Sequence, residues 1–93
     1  ISWTNSTPLL HIEYHVVHEP IQSPPLYQSR YPNITDTCRK TYCGMLSALD
    51  DGVGNVTRAL KDTEMYSNSI IVFTSDNGAL VDGNGCGSNW PLR

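Results

Sequence analysis

The apolar residues of this chain change period twice, and that change limits the fold more than any other feature. Over 8–17, PLLHIEYHVV, Leu10, Ile12, Tyr14 and Val16 alternate with His11, Glu13, His15 and Val17, which is a strand repeat. From Tyr42 the repeat lengthens. Tyr42, Met45, Leu46, Leu49, Val53, Val56 and Leu60 recur at three- and four-residue steps, the stripe of an amphipathic helix. Residues 70–75, IIVFTS, then form an apolar run with the pattern of a buried strand. Two strands joined through a helix lie parallel in one sheet with a right-handed crossover. The expected fold class is therefore α/β, with both strands ending at one edge of the sheet.

His18 follows the first strand directly, and Asp76 follows the second. In open α/β sheets ligands bind outside the carboxyl ends of the strands. His18, Asp76 and Asn77 are thus expected on one rim. A carboxylate beside an amide oxygen is a hard donor pair, suited to Ca²⁺ or Mg²⁺ rather than zinc. The same Asp-Asn-Gly is also a common turn, and the pattern alone does not choose between the two. A histidine at a strand end serves as a general acid/base or an anion donor, and is otherwise a solvated loop residue. His11, Glu13 and His15 share one strand face. A polar face covered by water or a loop is favoured there over a second metal site.

Between strand and helix, HEPIQSPPLYQSRYPNITD is expected to be irregular, because Pro24, Pro25 and Pro32 block regular pairing. Gly44, Gly52 and Gly54 weaken the helix by up to ~1 kcal/mol each relative to Ala. Asp51, Asn55 and Arg58 lie opposite its apolar stripe. The glycine-rich GNGCGSNW lacks the Lys-Ser/Thr ending of a phosphate loop, so a flexible loop near a site is the better reading.

The 93 residues carry a net charge of −3 with acids and bases interspersed, which points away from nucleic acid. No apolar stretch is long enough to span a bilayer. Sequons at Asn5, Asn33 and Asn55 tilt towards the secretory pathway. Cys38, Cys43 and Cys86 match no zinc spacing and cannot all pair internally; Cys38 with Cys43, or one of the three with another segment, are the pairings considered. The chain opens at Ile1 with no initiator Met or signal peptide and closes abruptly at Arg93, so a piece of something larger is expected.

In this order, VHEP, YCGMLSALDDGVGNVTRALK, IIVFTSDNG and SNWPLR closely resemble the middle section of type I sulfatases, and most of all the arylsulfatase B-like group, which includes N-acetylgalactosamine-4-sulfatase. The resemblance runs from about Pro8 to Arg93. It implies a central, incomplete segment, 1–93, of an alkaline-phosphatase-like α/β catalytic domain that hydrolyses sulfate esters with bound Ca²⁺. His18 falls on the family's histidine that contacts sulfate, and Asp76 and Asn77 fall on its calcium-ligating pair.

The resemblance also says what should lie elsewhere. The nucleophile is a formylglycine made from the cysteine of a Cys-x-Pro-Ser-Arg motif, which does not occur here. The paired aspartates that complete the calcium shell lie upstream, and a sulfate-binding lysine lies just beyond the NWPLR motif. Ala79 stands where the family usually has a second glycine, a departure that costs ~1 kcal/mol or more if that position needs φ > 0. The implied partners are a sulfated glycan or aryl sulfate ester and the rest of the sulfatase chain, and the implied location is lysosomal or secreted. A non-catalytic glycan- or calcium-binding relative and a phosphoesterase of the same superfamily are the alternatives.

Overall fold

Helix formation in this chain begins at an acid. In a computed structural model, which describes residues 8–80 and 86–92, Asp36 has extended backbone and its Oδ1 accepts the Arg39 N–H at 2.6 Å. That bond satisfies one of the donors that every helix N-terminus leaves open. The helix it caps, α2, runs Thr37–Asp62, 26 residues and about 39 Å long. It therefore starts a turn and a half before the apolar stripe does. Capping sets the boundary, not hydrophobic period.

The other end is closed by a Schellman arrangement. Met65 N–H donates to Leu60 O at 2.9 Å, and Glu64 N–H donates to Lys61 O at 3.1 Å. Glu64 takes the left-handed conformation this requires, with φ 59°. Lys61 sits in the last turn, where a cation suits the helix dipole. A 3₁₀ turn, Tyr66–Asn68, follows.

The proline-rich segment is not wholly irregular. Pro25–Gln28 forms a short helix, α1, with proline in its first turn, where the missing N–H costs nothing. The expectation of wholly irregular chain there failed because proline blocks strands and helix interiors but suits a helix start.

The helix α1 and the chain around it pack on α2 at small residues. Ser23 sits against Gly44, where an added Cβ would overlap the hydroxyl, and Ser23 Oγ donates to Thr41 O at 3.2 Å. At Gly52 a Cβ would come 3.0 Å from the Tyr14 ring. These glycines weaken the helix but permit close approach. Tyr31 and Ser47 hydroxyls meet at 2.6 Å. Arg30 spans Asp51 with both guanidinium nitrogens, at 3.5 and 3.0 Å, and lies over the Tyr27 ring at 4.7 Å. Hydrogen bonding from Arg30, then from Tyr27, holds the Asp51 carboxyl below its ordinary range. The face of α2 expected to be solvated therefore carries a tether at Asp51, while Asn55 and Arg58 are exposed.

Among the described residues no strand is formed. Residues 8–15 and 70–75 are without regular structure, and no backbone hydrogen bond joins either to another segment. The two parallel strands expected from the pattern are thus not formed among the described residues, and the reason is physical. A strand is a hydrogen-bonded pairing, and these segments do not pair with each other or with other described residues. The apolar run is correspondingly bare: Ile70 is 85% exposed, Val72 80% and Phe73 71%. Among the described residues Met45 is the buried hydrophobic side chain, and Thr41, Gly44 and Ser47 of α2 are buried with it.

Candidate functional site

The Asp-Asn-Gly turn is held by its own side chains. Asp76 Oδ1 accepts the Asn77 N–H at 2.9 Å, and Ser75 Oγ donates to Asn77 O at 2.7 Å. Asn77 Nδ2 donates to Gly78 O at 2.8 Å. With that donor committed, the Asn77 amide oxygen has no protein partner among the described residues, and neither has Asp76 Oδ2. Both residues are exposed. The turn thus presents two uncommitted oxygens of the hard type that Ca²⁺ takes. Two donors are a fraction of the six to eight that such an ion needs. No cluster of three or more acidic, histidine or cysteine side chains occurs among the described residues.

His18 is oriented by its neighbour. Its Nδ1 lies 2.8 Å from Glu19 O, and because a carbonyl can only accept, Nδ1 carries the proton. In the neutral ring Nε2 is then an acceptor, and it becomes a donor only when the ring is protonated. The His15 ring stacks on His18 with centroids 4.5 Å apart and planes 27° from parallel. His11 and Glu13 meet at 3.6 Å in the open. The three residues expected on one strand face therefore do not act together, since His15 has turned to His18.

Segments far apart in sequence converge on a cavity of about 290 Å³ lined by His18 and Glu19, by Asn77, Gly78 and Ala79, and by Tyr42 and Gly87. His18 and Asn77 thus share one hollow despite their separation in sequence. Asp76 precedes Asn77 without lining it.

A disulfide and the loop it carries close the hollow. Cys38 in the first turn of α2 is bridged to Cys86, with Cα atoms 5.7 Å apart. Neither pairing considered from sequence was this one, and Cys43 is the free cysteine. Arg39 Nη1 donates to Cys86 O at 2.7 Å, and its guanidinium lies over the Tyr42 ring at 5.4 Å. Gly87 passes so close that a Cβ there would come 2.5 Å from Ala79 Cβ and 3.1 Å from Tyr42 Oη. Asn89 then clamps Ala79: its Oδ1 accepts Ala79 N–H at 2.7 Å and its Nδ2 donates to Ala79 O at 2.8 Å. Ala79 has no positive φ, so the feared backbone strain is absent, and the tight spot is Gly87 instead. No spacing rule connects a cysteine on a helix with one in a glycine-rich loop. Asn89 acts on backbone, which leaves no side-chain pattern.

Of the sequons, Asn33 and Asn55 are exposed, and Asn5 lies outside the described residues, as do 81–85 of the glycine-rich loop. No helix is long and apolar enough to cross a membrane among the described residues.

Comparison with known proteins identifies the family. The sulfatase family model matches residues 7–91. The chain is 46% identical over 84 residues to mouse arylsulfatase J, covering 90% of this chain and 14% of that protein. It is 36% identical over 77 residues to the uncharacterized sulfatase YdeN of Escherichia coli (strain K12), covering 81% of this chain and 14% of that protein. It is 36% identical over 70 residues to dog N-acetylgalactosamine-6-sulfatase, covering 73% of this chain and 13% of that protein. No solved structure matches it significantly. The chain spans about one seventh of the length of these relatives. On a match of this extent, the chain belongs to the sulfatase family, whose members share an alkaline-phosphatase-like α/β fold.

Proposed function

We propose that residues 1–93 are a central segment of a calcium-dependent sulfatase that hydrolyses sulfate esters, and that they form one wall of its pocket. Asp76 and Asn77 hold the calcium through their side-chain oxygens, and His18 contacts the sulfate. The observation that carries this reading is that His18 and Asn77 line one cavity. The uncommitted oxygens of the turn suit the metal.

Bound calcium would supply charge neutralisation at the sulfate oxygens, as a Lewis acid. The chain's own residues do the rest. With Nδ1 tied to Glu19 O, only Nε2 of His18 is left for the ester. The protonated ring donates from there to an oxygen that gains charge as the S–O bond breaks. The formylglycine nucleophile, the paired aspartates and the lysine come from the remainder of the chain. The same remainder supplies the strands that pair with 8–17 and 70–75 in the parallel sheet.

The substrate is a sulfated glycan or an aryl sulfate, and the arylsulfatase B-like group is the proposed home within the family. The Cys38–Cys86 bridge favours an oxidising compartment, in keeping with a lysosomal or secreted glycoprotein modified at Asn5, Asn33 and Asn55. The test is hydrolysis of a chromogenic aryl sulfate by the complete chain, with calcium titrated in parallel. Turnover that disappears in Asp76→Ala together with calcium binding supports the reading. Calcium binding without turnover in the wild type, with the flanking Cys-x-Pro-Ser-Arg missing, would favour a non-catalytic binding protein.

A further inference from the structure

We propose that Asn89 is a positioning residue for the Asp76–Asn77 turn, with the Cys38–Cys86 bridge anchoring the loop that carries it. This rests on the reading of Asp76 and Asn77 as calcium ligands. Among the described residues the turn's own hydrogen bonds run within 74–78, so they shape it without fixing where it sits. Position has to come from outside. Asn89 provides it through two bonds to Ala79, at 2.7 and 2.8 Å, so its amide occupies both backbone groups as a neighbouring strand would. The fit is close enough that a Cβ on Gly78 would stand 2.8 Å from Asn89 Oδ1. Asn89 is partly buried and both ends of its amide are used.

The clamp itself is tied down. Three residues before Asn89, Cys86 is bonded to Cys38 in the first turn of α2. The Arg39 side chain adds a 2.7 Å bond to Cys86 O. A path of named contacts therefore runs from the N-terminus of α2 through Cys86 and Asn89 to the residue next to Gly78. Supporting groups behind metal ligands typically change affinity by 10- to 100-fold when lost. Asn89 acts one step further back than a residue bonded to a ligand, so the lower end of that range applies.

The experiment is titration of the complete sulfatase chain with calcium alone, in wild type, Asn89→Ala, Asn89→Thr and Asp76→Ala, with aryl sulfate turnover followed as calcium is raised. Asn89→Ala should bind calcium roughly tenfold more weakly. Excess calcium should restore its turnover, with KM for the ester near the wild-type value. Asn89→Thr keeps one oxygen for Ala79 N–H and should lose less; it also serves if Asn89→Ala fails to fold, and wild-type affinity in it would then overturn the proposal. Wild-type affinity in Asn89→Ala beside lost binding in Asp76→Ala overturns the role of Asn89 and leaves the ligand reading standing. A turnover defect in Asn89→Ala that calcium does not restore overturns it as well. Undiminished binding in Asp76→Ala overturns the ligand reading, and this inference with it.

Discussion

At His18 the proton on Nδ1 is spoken for by Glu19 O, so the charge state of the ring decides whether Nε2 gives or takes a hydrogen bond. Removing one donor to a developing anion costs roughly 100- to 1,000-fold in kcat. His18→Ala should therefore lose turnover on that scale. His18→Gln keeps a side-chain N–H and should retain more activity than His18→Ala. Turnover of an aryl sulfate by the two variants checks this, and equal losses would contradict it. Asp76→Ala should weaken calcium binding more than Asn77→Ala, because a charged ligand is lost rather than a neutral one. His18, Asp76 and Asn77 were legible because strand ends are places where chemistry is mounted, and because the residue types speak for themselves. Asn89 and Tyr42 were not. The first works through backbone groups, and the second reads as the opening residue of a helix stripe.

The element that sequence described best is α2, and its errors are informative. Period located the stripe from Tyr42 to Leu60, whereas Asp36 and Glu64 set the ends. Glu64 occupies a left-handed position that glycine takes without cost, so Glu64→Gly should stabilise the helix end by up to about 1 kcal/mol. A higher thermal midpoint of the complete protein is the readout, and a fall would contradict the account. The tether between α1 and α2 depends on pH. Asp51 has a folded pKa lowered chiefly by its hydrogen bond with Arg30. A lowered acid contributes stability above its unfolded value and loses it as pH falls through the folded one. Acidification through and below the ordinary carboxylate range should release the Arg30–Asp51 contact, and Asp51→Asn should remove that response. The environment of Tyr27, followed by near-ultraviolet circular dichroism, reports it. Both residues are well exposed, so the effect is local.

Across the whole molecule, the fold class was legible and the sheet was not formed. Pattern marks which segments could pair as strands, but a strand takes its structure from neighbours, and 70–75 stands bare among the described residues. The radius of gyration is 16.9 Å, against about 12 Å for a compact domain of this length. Residues 1–93 alone should show no sharp cooperative melt and no sulfatase activity. Calorimetry and an aryl sulfate assay on the purified segment test both expectations. The Cys38–Cys86 bridge spans 48 residues, and closing such a loop raises the free energy of the unfolded chain by about 4 kcal/mol through its lost entropy. Cys38→Ser in the complete protein should lower its thermal midpoint accordingly.

The central claim is that His18 and the Asp76–Asn77 turn, far apart in the chain, act on one bound sulfate. A kinetic double-mutant cycle asks this directly, comparing kcat/KM for aryl sulfate hydrolysis in wild type, His18→Ala, Asp76→Ala and the double variant of the complete protein. Groups that work as a unit give losses that do not multiply. The account predicts a double variant little worse than the worse single one. Losses that multiply, as they do for independent sites, would contradict it.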